Sequence, residues 1–303
     1  MEQLSQFYLL SSGSLSFYLL DLALLIAFLA ILTRFLGSVI TRMKLTEVLS
    51  HDDNAAAGVA MSGAMVAIAV MLMGVASGDV GRTIVAEITL IVSYAILGVV
   101  IMLLTRHLFE RFNMSDISIQ QGIAKGNMAA AIVDAGNMLS TALIVRAVMT
   151  WVDGASWFGL IGVLVGFVVS QLVLYLATLY RYYIFNRAHA QDGKTLHGEI
   201  ESGNCALALR FSGYRIGVGL AMTATSGVVV YDPYLLTLSL TAWVGLGLFF
   251  FVAQTVVSMG VRQLVLRGID VATEVGEQRN VAIGAMEGAI YIAVGLVFMG
   301  LFV

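Results

Sequence analysis

The chain has 303 residues, of which 59% are apolar and only 12% charged, and its mean hydropathy is +0.93. Soluble domains carry about a quarter charged residues, whereas eight membrane spans need roughly 160 apolar positions. The composition therefore predicts a polytopic membrane protein without a large domain outside the bilayer. The formal net charge of −3 argues against a nucleic-acid partner. The single cysteine, Cys205, excludes an internal disulfide.

Eight apolar stretches follow one another along the chain, each long enough to cross about 30 Å of hydrocarbon. Backbone polar groups in hydrocarbon must be satisfied within their own segment, so each stretch is predicted to be a helix. The predicted fold class is an all-α bundle of eight transmembrane helices, divided into two four-span halves, 1–150 and 151–303. The expected spans are 16–40, 55–76, 84–104, 128–150, 157–180, 203–230, 234–260 and 281–302.

Basic residues divide unevenly between the two sets of predicted loops. One set holds twelve of them, and the other holds only Arg82. Because cytoplasmic loops carry the excess of lysine and arginine, the first set is predicted to face the cytoplasm and both termini the outside. The twelve are Arg34, Arg42, Lys44, Arg106, Arg111, Lys125, Arg181, Arg187, Lys194, Arg262, Arg267 and Arg279.

A motif of the form Asn-x-Ala occurs four times, at intervals of 73, 77 and 76 residues. An arginine ends the span before each motif, and a stretch of mixed apolar and polar residues between them predicts an amphipathic elbow at the cytoplasmic interface. The repeating unit is therefore a two-span hairpin, and four such units are expected as parallel repeats around an axis along the membrane normal. The asparagines are Asn54, Asn127, Asn204 and Asn280, and the arginines are Arg34, Arg106, Arg181 and Arg262.

The Asn-x-Ala-rich start of every second span, with a small residue about nine positions later, resembles the domain-of-unknown-function 350 (DUF350, YjfL-like) bacterial inner-membrane proteins. Typical members have four spans, so this chain resembles two such units in tandem. The resemblance implies a multi-pass protein of the bacterial inner membrane. Some members are encoded near phage-shock-type membrane-remodelling proteins or polyamine-synthesis enzymes, which implies a role in envelope homeostasis. The resemblance implies no catalytic residue.

Small residues recur on the asparagine face of each second span. Counted from the asparagine as zero, positions 4 and 8 share its side of a helix, and such small-xxx-small stripes let helix backbones approach closely in membranes. The asparagines are expected either to cap or cross-link helices at the cytoplasmic boundary or to coordinate an ion or substrate. The small residues are Gly58, Ser62, Ala131, Ala135, Ala208, Ser212, Gly284 and Gly288.

Four ionisable residues fall deep within the predicted spans. Position 7 is an acid in the second and fourth copies, Asp134 and Glu287, and the third copy carries Arg210 and Arg215. Each charge costs about 2.5–3.5 kcal/mol at the centre of a span unless it is paired or hydrated. We expect a buried cluster in which Arg215 meets Asp134, Glu287 or both. The cluster either fixes helix register through ion pairs or forms a polar pathway or ion-binding site.

Sequence signals for an enzyme are weak, and no cofactor or metal is predicted. The four histidines fall in the predicted elbows without metal-ligand spacing, and no phosphate-binding loop is present. Two functional hypotheses remain. The first is a channel or transport protein for an ion or small solute, with a path lined by the asparagines and the deep charges. The second is a non-transporting structural or envelope-stress component whose elbows recruit a cytoplasmic partner. A homo-oligomer is compatible with both.

Overall fold

The computed structural model of the protein describes residues 12–41, 50, 53–76, 84–152 and 157–303. Arg42, Lys44 and Arg82 lie outside these residues, and so does one of the four histidines, His51. Within the described residues the secondary structure is entirely helical. In chain order the helices are α1 (Ser12–Thr41), α2 (Ala55–Ala76), α3 (Ile84–Leu108), α4 (Ile119–Ala124), α5 (Met128–Trp151), α6 (Trp157–Ala188), α7 (Leu196–Glu201), α8 (Cys205–Val228), α9 (Leu236–Val265), α10 (Val271–Gly276) and α11 (Val281–Phe302).

The long helices match the predicted spans closely, and the short helices α4, α7 and α10 lie where the sequence predicts elbows. Six helical segments of the described residues are long and apolar enough to cross a membrane. Helix α8 is not among them because its two arginines and its serines and threonines lower its hydropathy. The protein is therefore a helical membrane protein, while the count of eight spans stays a prediction. The six segments are Ala55–Gly74, Ile91–Asn113, Met128–Trp151, Leu160–Ala188, Pro233–Val265 and Val281–Phe302.

The second helix of each hairpin packs against the second helix of the next. Helices α2, α5, α8 and α11 follow one another in a row, and α3, α6 and α9 each contact two neighbouring members of it. No comparable contact joins α2 to α11 among the described residues. The contacts thus describe an open row, which differs from the expected arrangement of four hairpins around an axis.

Glycine and other small residues explain how closely the row packs. A Cβ atom built on Gly63, Gly136 or Gly213 would lie less than 3.0 Å from an atom of the next helix in the row. Without a hydrophobic drive between helices in lipid, association depends on such close backbone contact. As a result α5 and α8, in the middle of the row, are buried along most of their length.

Candidate functional site

Each repeat asparagine caps the helix that it precedes. Its side-chain oxygen accepts a hydrogen bond from a backbone N–H in the first helical turn, which satisfies one of the unpaired donors of a helix start. The residue before each asparagine has a positive φ, and in the second, third and fourth copies it turns the chain from the elbow helix into the long helix. The N–H groups belong to Ala57, Ala130, Leu207 and Ala282–Ile283. The preceding residues are Asp53 (φ 47°), Gly126 (82°), Gly203 (86°) and Arg279 (53°).

The side-chain amide of three of these asparagines also reaches the next hairpin. Asn54 donates to the carbonyl of Ile123 at 3.0 Å, in the elbow of the second copy. Asn127 donates to the carbonyls of Ile200 at 3.0 Å and Glu201 at 2.9 Å in the third, and Asn204 donates to that of Val275 at 3.0 Å in the fourth. We call this series the asparagine ladder. The asparagines therefore both cap their own helices and link neighbouring hairpins.

Two ion pairs occupy equivalent positions in the second and fourth copies. Arg106 lies 3.6 Å from Asp134, and Arg262 lies 3.3 Å from Glu287. In both copies the arginine ends the first helix of the hairpin, and the acid is at position 7 of the second. The sequence contains both halves of this pattern, but their spacing along the chain does not show that they meet.

Glu287 is fully buried and forms ion pairs with two arginines, Arg210 and Arg262. Its carboxylate lies 2.6 Å from Nε of Arg210 and also accepts a hydrogen bond of 2.8 Å from the hydroxyl of Tyr291. Arg181 donates to the same Tyr291 hydroxyl at 3.1 Å. We call Arg181, Arg210 and Arg262 around Glu287 the arginine cluster. Two of its three positive charges pair with the carboxylate, and the third, Arg181, reaches it only through the Tyr291 hydroxyl.

The excess of positive charge follows from the pattern of position 7. In the third copy this position is Phe211 instead of an acid, so Arg181 has no carboxylate at position 7 of its own hairpin. Its guanidinium instead lies over the rings of Tyr214 and Tyr291, with Cζ 5.0 and 5.4 Å from the ring centroids. Such cation–π contacts stabilise a guanidinium without neutralising it.

A small cavity of about 50 Å³ lies beside the arginine cluster. Arg181 and Arg210 line it from α6 and α8, and His189 and Ala272 line it from the segments next to the elbows. Both arginines are buried. Two cationic side chains therefore border an otherwise largely apolar space near the C-terminal end of α6 and the start of α8, of a size that suits water or a monatomic ion.

Arg215 is separate from this cluster. Its guanidinium donates to the side chains of Asn137 at 2.7 Å, Thr178, and Asn113 at 3.4 Å, and to the carbonyl of Leu174 at 3.1 Å. The expectation that Arg215 meets Asp134 or Glu287 was wrong, because neutral oxygens of α5, α6 and the turn after α3 surround it instead. Asp134 is paired with Arg106, so the four deep charges form three separate groups. Arg215 makes no ion pair within the described part of the chain.

A larger cavity of about 560 Å³ opens between the elbows of the second and third copies. Polar side chains and backbone groups line much of it, including Gln121, Lys125, Glu201 and Ser202. The described residues contain no cluster of three or more His, Cys, Asp or Glu side chains suited to hold a metal.

The apolar helices, the repeated asparagine caps and the buried ion pairs define an integral α-helical membrane protein built from repeated hairpins. The chain belongs to the family described as Domain of Unknown Function (DUF350), which matches residues 8–149, 83–225 and 158–302. Successive matches start 75 residues apart, and each contains two hairpins and one contact between neighbours in the row. No curated protein and no solved structure matches the chain.

Proposed function

We propose that this protein of the bacterial inner membrane binds a small inorganic anion at the arginine cluster and conducts it across the bilayer. The observation that carries the proposal is the charge of the cluster, where Arg210 and Arg262 pair with the single carboxylate of Glu287 and Arg181 is linked to it through the Tyr291 hydroxyl. Charges within a membrane are expensive and mark ion pathways in many proteins. An excess of buried cations selects for anions by simple Coulomb attraction.

The cavity beside Arg181 and Arg210 is the proposed binding site, reached from the cytoplasm. Arg215 follows Arg210 on the same helix, about 7.5 Å further along its axis. Like Arg181 in the cluster, Arg215 makes no ion pair with a carboxylate within the described residues. Two such cations in sequence would let an anion move from one to the next. We also propose that the protein has eight spans, that both termini lie outside the cytoplasm, and that it has no enzymatic activity.

Binding is tested by thermal unfolding of the purified protein in chloride and in gluconate, an anion too large for the cavity. A ligand that binds only the folded state raises its stability with concentration, so chloride should raise the Tm of the wild type. Arg181→Gln and Arg210→Gln should remove this increase. Arg187→Gln is the matched control, because Arg187 lies on the same helix as Arg181, is exposed and bonds to Tyr183 outside the cluster.

Conduction is tested by chloride efflux from proteoliposomes with the same variants. The expected result is efflux in the wild type and in Arg187→Gln, and none in Arg181→Gln or Arg210→Gln. If the wild type shows neither a chloride-dependent Tm nor efflux, the proposal fails. If it shows a chloride-dependent Tm without efflux, the protein binds an anion without conducting it.

The alternative is a non-transporting structural or envelope-stress component that recruits a cytoplasmic partner. The observation that favours it is the polar cavity of about 560 Å³ between the elbows, where Lys125 and Glu201 lie at the surface. For this function, Lys125→Ala with Glu201→Ala should abolish co-purification of the partner and leave chloride efflux unchanged. If the double variant still co-purifies with the partner, this alternative fails.

A further inference from the structure

The three contacts within the row of helices are copies of one interface. Counted from the asparagines, the small residue at position 9 of one copy meets position 8 of the next. A Cβ atom built on any of the three position-9 glycines would lie less than 3.0 Å from the facing residue. The facing pairs are Gly63 with Ala135, Gly136 with Ser212, and Gly213 with Gly288.

Position 8 also meets the carbonyl at position 5 of the preceding copy. The hydroxyl of Ser212 donates to the carbonyl of Ile132 at 2.9 Å. A Cβ atom built on Gly288 would lie 2.7 Å from the carbonyl oxygen of Leu209, the equivalent position in the third copy. The interface therefore has a defined register as well as a surface of small residues.

The two ends of the row expose the two halves of this interface. At one end, position 8 of the first copy is Ser62, which is exposed, with its hydroxyl donating to Gly58 of its own helix at 2.8 Å. At the other end, position 9 of the fourth copy is Ala289, which is also exposed. Exposed small residues continue the second face along α11 at Ala282, Ala285 and Ala293.

The asparagine ladder stops at the same end of the row. Asn54, Asn127 and Asn204 each donate to the elbow of the next copy. The amide of Asn280 donates to Glu274 of its own elbow at 2.8 Å, as that of Asn204 also does to Glu199 at 2.9 Å. Among the described residues, Asn280 therefore lacks the bond to a following elbow that the other three asparagines make.

We propose that a second copy of this chain docks head to tail, with its α2 face around Ser62 packed on the α11 face around Ala289. The intermolecular contact repeats the three internal ones, so the hydroxyl of Ser62 donates to the carbonyl of Ala285 in the neighbouring copy. We expect these two faces to fit each other because small residues at the same positions, in the same register, already join the copies within the chain. The assembly does not depend on anion binding.

Such an interface joins two different surfaces, so it extends from copy to copy and closes into a ring or continues as a chain. Ala289 carries a methyl group where the first three copies have glycine. The helices at this contact therefore lie further apart than those within the chain, and the intermolecular contact is weaker than the internal ones.

Disulfide cross-linking tests the proposal in a Cys205→Ser background, which contains no other cysteine. Ser62→Cys and Ala289→Cys are introduced into separate copies with different affinity tags, and the two are co-expressed. Oxidation of the membranes should give a two-chain product that contains both tags. Neither variant expressed alone should cross-link, because like faces do not meet. The matched control pairs Ser62→Cys with Phe249→Cys, which is exposed on α9 outside the proposed face.

The proposal is overturned if Ser62→Cys and Ala289→Cys give no mixed product, or if Ser62→Cys and Phe249→Cys give as much of it. Cross-linking of Ser62→Cys to itself would also overturn it. A second measurement, made with Cys205 in place, determines the number of chains per particle from the mass of the protein extracted into nanodiscs. The wild type should contain more than one chain, Ala289→Leu should lower the number, and Val297→Leu, exposed elsewhere on α11, should not. A single chain in the wild type would also overturn it.

Discussion

Gly213 faces Gly288 across the contact between α8 and α11, so closely that a Cβ atom on Gly213 would overlap the backbone of Gly288. Both glycines are buried within the helical bundle. The contact joins the third and fourth hairpins, and the same pair of positions joins the others. Any side chain at Gly213 must push two helix backbones apart.

Replacing Gly213 by alanine should therefore lower stability, although alanine is the better helix former. Overpacking of this kind costs about 1–3 kcal/mol, measured as a fall in Tm or in the free energy of unfolding in detergent. The control is Gly245→Ala on α9, where a Cβ atom would meet nothing within 4 Å. Its Tm should stay unchanged or rise, since alanine favours a helix by up to about 1 kcal/mol over glycine. Equal effects at both sites would contradict the close contact.

Asn204→Ala should destabilise the protein more than Asn280→Ala. Both variants lose a helix cap, which costs about 0.5–2 kcal/mol. Of the two, only Asn204 is fully buried and also donates to the next elbow, at the carbonyl of Val275. Replacing Asn204 by alanine leaves this carbonyl without its donor. Comparing the Tm values of the two variants isolates the link between hairpins. The ladder is refuted if both lose the same stability.

Removing the charge of Glu287 should destabilise the arginine cluster strongly. Loss of one partner of a buried ion pair costs about 3–5 kcal/mol because the remaining charge stays buried. In a double-mutant cycle, Arg210→Gln should recover part of the loss caused by Glu287→Gln, because it also removes an unpaired charge. Glu277→Gln, at an exposed position, serves as the control. Additive losses would show that Arg210 and Glu287 are independent.

The contact between Asp116 and His197 should make stability depend on acid pH. Nδ1 of His197 lies 2.7 Å from the Asp116 carboxylate, and this hydrogen bond lowers the pKa of Asp116 below its usual range. The stabilisation is complete above the pKa of an unfolded aspartate, about 3.9. It is lost as the pH falls through the lower pKa of the folded state. Between pH 5 and pH 3 the Tm should therefore fall more steeply in the wild type than in Asp116→Asn. Parallel curves would rule out this contribution.

The sequence predicts the helices and their repetition because apolar length and the Asn-x-Ala spacing are local signals. It also identifies the asparagines and small residues that the structure places at the hairpin contacts. The pairing of the deep charges is different, because it depends on which helices are neighbours. Arg106 and Asp134 meet although nothing in their spacing shows it, and Arg215 lies among neutral oxygens contributed by three parts of the chain.

The open row could not be predicted for the same reason. Four equal repeats fit a ring around an axis as well as a line, and the difference depends on small rotations at each contact. Position 9 is glycine in the first three copies and Ala289 in the fourth. That difference marks the end of the row.

The asparagine ladder also gives the bundle an order of assembly. The amides of Asn54, Asn127 and Asn204 each need an acceptor that lies about 70 residues further along the chain. During synthesis, the asparagine of each of the first three hairpins can therefore form this bond only after the next elbow has been made. Each new hairpin that enters the membrane supplies the carbonyl that the asparagine of the hairpin before it needs.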